Sequence, residues 1–177
     1  KKKITIILQA RCNSKRFPFK SLHPINNLPL VIYCAKRLTK NTNHNLIIAT
    51  TKKEEDTEIV KLAKKHKIKV YKGSEKNVLR RFKSISKNFG NDDIIVRATG
   101  DNPLPDSQFL NKSLSLFNKY KLDYFVTDNN FFKIPYGLNL EIFKVKCLRK
   151  QKHNKLNNEH VTFTLRKMSK LNHIKEK

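Results

Sequence analysis

Acidic residues are scarce in this chain. Fourteen Asp and Glu stand against 39 Lys and Arg, a formal net charge of +25. A balance this basic raises nucleic acid as a partner. The distribution argues the other way, because 31 of the cations are lysines, spread along the whole chain and mixed with 19 asparagines. Lys and Asn together are what an AT-rich coding sequence produces. A dedicated nucleic-acid binder concentrates arginine and aromatics on one face. Cysteine is also sparse: Cys12, Cys34 and Cys147 are scattered, odd in number and without a CxxC spacing. That excludes a disulfide framework and a Cys-type zinc site. No apolar run approaches the roughly 20 residues that span a bilayer. Lys1-Lys2-Lys3 leads into an apolar stretch too short for a secretory signal. The expectation is a cytoplasmic chain with no membrane partner.

Other motifs are missing as well. There is no GxGxxG and no GxxxxGK[ST], so the dinucleotide fingerprint and the P-loop do not apply. No Ser-His-Asp or Cys-His arrangement stands out, and there is no zinc-helix motif. Internal repeats, Pro/Gly/Ser linkers and composition shifts are absent too, which implies one domain over residues 1–177. With 38% hydrophobic and 30% charged residues, 177 residues suffice for a globular domain with a real core.

What is present alternates. Short apolar runs at Ile4–Leu8, Leu46–Ala49, Lys69–Tyr71, Ile94–Arg97, Tyr124–Thr127 and Leu138–Phe143 read as strands. Between them, Pro29–Leu38, Glu54–His66, Val78–Phe89 and Asp106–Tyr120 carry apolar residues at helical spacing, such as Ile59, Leu62 and Ala63. Strands alternating with helices of this size predict βαβ units: a three-layer αβα fold on a mostly parallel sheet, with right-handed crossovers.

Ligands of open α/β sheets bind at the carboxyl ends of the strands. The first such end feeds a loop with four cations, Arg11, Lys15, Arg16 and Lys20, together with Ser14. Arginine grips phosphate through a planar fork and lysine acts as a mobile point charge, so this loop suits a polyphosphate. A solvated basic loop is the bland alternative. A second end reads Thr99-Gly100-Asp101-Asn102-Pro103-Leu104. There a glycine permits a tight turn, and Asp101 follows where it would serve a Mg²⁺–nucleotide site or simply cap the turn. Ser74 or Asn77 can cap the helix that carries Arg80 and Arg81. Glu141 lies in an apolar strand and faces either solvent or a cleft. His160 follows Glu159 near the end of the chain and is either catalytic or structural.

Together these pieces resemble the cytidylyltransferases that activate acidic sugars. That family includes acylneuraminate and 3-deoxy-manno-octulosonate cytidylyltransferases, and the spore-coat polysaccharide biosynthesis branch is the nearest. The resemblance is carried by Leu8-Gln9-Ala10-Arg11 with Ser14, Arg16, Pro18 and Lys20, by Ala49-Thr50-Thr51, and by Gly73-Ser74 with Val78-Leu79 and Arg81. It continues in Thr99 to Leu104, Gly137-Leu138, Glu141 and Glu159-His160-Val161-Thr162, in the family's order and over nearly the whole chain.

The resemblance implies a nucleotide-diphospho-sugar-transferase, Rossmann-like fold. It also implies transfer of CMP from CTP to an acidic sugar, with release of pyrophosphate, in surface polysaccharide or glycan synthesis. Arg11, Ser14, Arg16 and Lys20 would hold the triphosphate, with Arg16 and Lys20 stabilising the leaving pyrophosphate. Asp101 would ligate Mg²⁺. Ala10, Thr50, Arg81 and Gly100 would line the nucleotide pocket, and Asn102, Glu141 and His160 the sugar side. Related enzymes often dimerise. The family tends to have aspartate where this chain has Asn77, Tyr136 and Asn139, and it carries a further C-terminal strand with an acidic segment that this chain is expected to lack. Those departures keep a second reading open, a nucleotide-binding module without turnover. A basic nucleic-acid-binding protein is the third.

Overall fold

In a computed structural model, the structure describes residues 2–14, 17–127, 135 and 137–169. Six strands form one sheet. They are β1 (Ile4–Gln9), β4 (Asn45–Thr51), β5 (Lys69–Gly73), β6 (Ile94–Thr99), β7 (Tyr124–Val126) and β8 (Glu141–Lys144), in the order β5-β4-β1-β6-β8-β7. Strands β5, β4, β1 and β6 are parallel neighbours, and β8 runs antiparallel between β6 and β7. The expected mostly parallel sheet is therefore present, with one reversed strand. A two-residue hairpin joins β2 (Pro24–Ile25) to β3 (Leu28–Pro29) outside this sheet.

β1 is central, and Ile6, Ile7 and Leu8 are all fully buried. A strand covered on both faces reads as a continuous apolar run, which is what this stretch is. On one face Ile6, Leu8, Ile48 and Val96 pack with α1 (Leu30–Thr39), α2 (Thr57–Lys65) and α4 (Ser107–Lys119) through Val31, Ile59 and Leu110. On the other face Ile7, Ala49, Ile95 and Phe143 meet Leu79 and Phe82 of α3 (Val78–Ile85) and Leu148 of α5 (Val145–Arg149). Two apolar layers on one sheet give the three-layer αβα arrangement. Two further helices, α6 (Lys155–His160) and α7 (Phe163–Ser169), follow.

Helix boundaries follow local chemistry. Asn77 caps α3 by accepting the Arg80 N–H at 2.8 Å, and Asp106 caps α4 by accepting the Phe109 N–H at 2.9 Å. The periodic stretch from Val78 to Phe89 stops being helical at Ile85, where Ser86 turns its hydroxyl onto the Phe82 carbonyl at 2.9 Å. The segment from Glu54 starts as a 3₁₀ turn, Glu54–Asp56, before α2 begins. The strand expected from Leu138 begins only at Glu141, because Leu140 gives its N–H to the Thr127 hydroxyl at 2.7 Å.

The ends of β1, β4 and β6 are drawn together by backbone bonds. Ala10 N–H donates to the Ala49 carbonyl at 3.2 Å, and Gly100 N–H to the Gln9 carbonyl at 2.8 Å. A Cβ on Gly100 would stand 3.0 Å from Ala10 Cβ and 3.1 Å from Val31 Cγ2. Close approach, rather than an unusual φ, favours glycine here. Gly100→Ala is expected to lower stability by about 1–3 kcal/mol, as overpacking does, measured by urea unfolding.

Candidate functional site

The loop after β1 is organised around one peptide unit. The Cys12 carbonyl accepts N–H bonds from Ser14 at 2.9 Å and from Phe19 at 2.8 Å, which closes the loop on itself. The Ser21 hydroxyl donates to the Arg11 carbonyl at 3.1 Å. Arg11 is exposed and Ser14 half-buried. Lys20 opens a 3₁₀ turn, Lys20–Leu22, and its ammonium lies 2.5 Å from the Asp101 carboxylate. The cationic loop and the acid after β6 thus meet across the end of the sheet. Burial alone would raise the Asp101 carboxyl. Hydrogen bonds from Lys20 and Thr99, and the Lys20 charge, outweigh burial and hold it below the usual carboxylate value. Asp101 is therefore an anion, as a cation ligand must be.

Arg81 reaches the site from α3. It is 1% exposed, donates from Nη1 to the Ser74 carbonyl at 2.8 Å, and leaves Nε without a partner. Gly73 makes room for it, since a Cβ there would lie 2.7 Å from Arg81 Cγ. Burial and then the neighbouring Arg11 charge pull its pKa down to about 10. Among the described residues, neither Arg11 nor Arg81 forms an ion pair. Thr50 is fully buried at the end of β4, with its hydroxyl turned toward Asp56.

On the other side of β6, Arg97 and Glu141 stand opposite each other in the β6–β8 ladder. Arg97 donates to Glu141 at 3.1 Å and to the Gln9 side chain at 3.4 Å. The Thr162 hydroxyl donates to the same Glu141 carboxylate. His160 is exposed, two residues before Thr162, and its ring lies 6.2 Å from that of Phe163. The Asn102 carboxamide donates to the Gly137 carbonyl and accepts the Leu104 N–H at 3.3 Å, tying two loops together.

The strand ends therefore bring Ala10, Arg11, Lys20, Thr50, Gly100 and Asp101 to one end of the sheet, with Arg81 beside them. Glu141 and Thr162 lie further along, across β6. Arg16 and Tyr136 lie outside the described residues. Glu141 is engaged by Arg97 and Thr162 rather than facing solvent. Sequence reasoning assigned no role to Asp56 or Arg97. Asp56 looked like one more acid at a helix start, in Glu54-Glu55-Asp56. Here it is 2% exposed and accepts the Cys12 N–H at 2.7 Å, the Thr51 N–H at 3.1 Å and the Thr51 hydroxyl at 2.5 Å.

A sheet with converging parallel strand ends, a cationic loop and an opposed carboxylate defines an α/β protein whose candidate site lies at the carboxyl ends of its strands. The family model described as cytidylyltransferase matches residues 5–175. The chain belongs to the cytidylyltransferase family. It is 40% identical over 164 residues to the uncharacterized protein MJ1063 of Methanocaldococcus jannaschii, covering 90% of this chain and 65% of that protein. It is 31% identical over 172 residues to the spore coat polysaccharide biosynthesis protein SpsF of Bacillus subtilis, covering 92% and 70%. The chain thus spans roughly two thirds of the length of these relatives. A solved cytidylyltransferase from Leptospira borgpetersenii superposes with a TM-score of 0.86 at 27% identity, covering 97% of this chain and 74% of that one. A CMP-2-keto-3-deoxy-manno-octonic acid synthetase complexed with CTP shares the fold at a TM-score of 0.65 and 14% identity, covering 95% and 86%. The fold is the Rossmann-like fold of nucleotidyltransferases, as the resemblance implied. Among the described residues, no helix is long and apolar enough to cross a membrane.

Asp56 gives this site a pH signature. Burial would raise its carboxyl, but the bonds from Thr51 and Cys12 hold it below the usual value. A depressed folded pKa stabilises above the unfolded value of about 3.9 and loses that contribution as pH falls. Asp56→Asn is expected to cost about 1.5–3 kcal/mol at pH 7, the scale of a hydrogen bond to a charged group. The penalty shrinks below pH ~4, as urea unfolding at pH 7 and pH 3 would show.

Proposed function

We propose that this chain takes part in transferring CMP from CTP to an acidic sugar, giving a CMP-sugar and pyrophosphate. The observation that carries the reading is the Lys20–Asp101 pair, 2.5 Å apart where the loops after β1 and β6 meet. A lysine able to neutralise phosphate and a carboxylate able to hold a metal lie side by side there. The acceptor is inferred from relatives. The spore-coat protein is one, and a 3-deoxy-manno-octulosonate cytidylyltransferase of Nitratiruptor, 32% identical over 119 residues, is another.

In this reading a sugar hydroxyl oxygen bonds to the α-phosphorus of CTP, its proton is lost, and the bond to pyrophosphate breaks. Such transfers rest on positioning and on preplaced charge. Arg11, Ser14 and Lys20, with Arg16, cradle the triphosphate. Lys20 and Arg16 offset the charge that builds on the leaving group. Ala10, Thr50, Gly100 and Arg81 surround the nucleoside. Asn102, Glu141 and His160 lie toward the acceptor.

Among the described residues, no three metal-ligating side chains cluster. One ionised carboxylate at Asp101 still fits Mg²⁺, which is commonly held by one or two carboxylates with the remaining positions on phosphate and water. When bound, the ion would neutralise phosphate charge. Nucleic-acid binding is a weaker reading, since the lysines are spread along the whole chain.

Thermal unfolding with CTP and magnesium, against ATP as control, tests the proposal. At a hundredfold excess over Kd, CTP should add about 2.7 kcal/mol of stability, with a smaller rise for ATP. Equal rises, or none, would count against a cytidine site. In pyrophosphate release with acidic sugars, Lys20→Ala should lower turnover about 100-fold or more.

A further inference from the structure

Asp56 is far from the phosphate loop in sequence and holds it from beneath. Its two oxygens divide the work. Oδ1 takes the N–H of Cys12, and Oδ2 takes the N–H and hydroxyl of Thr51 at the end of β4. The carboxylate thus bridges the first turn of the cationic loop to a core strand. Among the described residues it pairs with no cation, although its charge is felt at Arg81.

Cys12 is the knot of that loop. Its carbonyl collects the Ser14 and Phe19 N–H groups, its own N–H is anchored on Asp56, and its thiol is fully buried. Arg11 and Ser14 flank it, and Lys20 follows Phe19. Only a carboxylate supplies acceptors on both oxygens. An amide at position 56 would present N–H to one of the two donor sets and break it.

We propose that Asp56 is a positioning residue of the nucleotide site, fixing the cationic loop against β4 so that Arg11, Ser14 and Lys20 converge on the triphosphate. The proposal rests on the function inferred above. Its chemistry is that of an anchored anion: three donors satisfy a buried charge, and the same charge, together with Glu75, favours the buried Arg81 cation.

Burial and then the Asp56 charge push the Cys12 thiol up to about 12, so thiol labelling reports on both the Asp56 charge and the loop, and amide exchange separates the two. Cys12, Cys34 and Cys147 are all buried. In Asp56→Asn, iodoacetamide followed by mass spectrometry should label Cys12 about tenfold faster than in the unaltered chain, with Cys34 and Cys147 unchanged. CTP affinity in magnesium should fall about tenfold as well, the scale of one hydrogen bond to a charged group. Thr51→Val keeps the Asp56–Cys12 bond while losing a buried hydroxyl contact, so it should leave Cys12 labelling and CTP affinity within about twofold.

Labelling of all three cysteines together in Asp56→Asn would overturn the proposal, since the fold and not the loop would have loosened. So would unchanged CTP affinity, or a Thr51→Val variant that behaves like Asp56→Asn. If the unaltered chain binds no CTP, the functional reading fails, while exchange of the Cys12 amide, which does not depend on thiol ionisation, still decides whether Asp56 holds the loop. Hydrogen exchange on the unaltered chain covers the case in which Asp56→Asn does not fold. The Cys12 amide should be protected like those of β4, and exchange as fast as that of Asn13 would refute the anchor.

Discussion

The site depends on how closely three parallel strands finish together. Ala10 N–H and Gly100 N–H bond to the carbonyls of Ala49 and Gln9 just beyond the regular ladders, so the exits of β4, β1 and β6 are fixed to one another by backbone alone. A Cβ at position 100 would press on Ala10 and Val31. From this tight seam the chain leaves in three directions, and each exit carries chemistry: the cationic loop after β1, Thr50 and Thr51 closing β4, and Asp101 one residue past the glycine. Crossover helices pack on both faces and keep the strands parallel, and that parallel order is what places three exits on the same end.

Charge is distributed around that seam with a local surplus. Lys20 and Asp101 satisfy each other. Arg11 and Arg81 do not, and burial together with mutual repulsion weakens the hold of Arg81 on its proton. A desolvated guanidinium with an unpartnered Nε is costly unless something anionic completes it. Asp56 relieves part of that cost from below while its own oxygens stay occupied by Cys12 and Thr51. The net charge of +25 says little about this, because most of it is lysine on the exterior. The informative cations are the few that are buried or paired.

The fold was legible where periodicity carries it. Ile4–Leu8 reads as a buried strand because both its faces are covered, and α2 and α3 read as helices because one face of each is apolar. The reversed strand β8 was not legible, since an apolar run has the same appearance in either direction and only the connection decides. The β2–β3 hairpin had a signal that went unread. Asn26 and Asn27 both take positive φ, 47° and 60°, the requirement of a two-residue hairpin turn that asparagine meets more readily than most residues. In the site, Arg11, Lys20, Gly100 and Asp101 sit at strand ends, where sequence reasoning looks first. Asp56 and Arg97 escaped it because their partners, Cys12 and Glu141, are 44 positions away. Contacts of that span leave no local pattern.

The two halves of the site are held by different means. The half at the strand ends is fixed by main-chain bonds and by one buried carboxylate gripping main-chain and hydroxyl donors, so its geometry tolerates little side-chain change. The half beyond β6 hangs on side chains: Asn102 to Gly137, Arg97 to Glu141, and Thr162 to Glu141. Gly137, at φ +97°, sits where a Cβ would meet Leu104 Cδ1 at 2.7 Å, so that loop too is set by a local contact rather than by the sheet. Substitution of any of these partners re-aims the polar groups on this side without disturbing the strand ends. A scaffold with one half locked by backbone and the other adjustable by side chains can keep one part of its site constant while the other part varies.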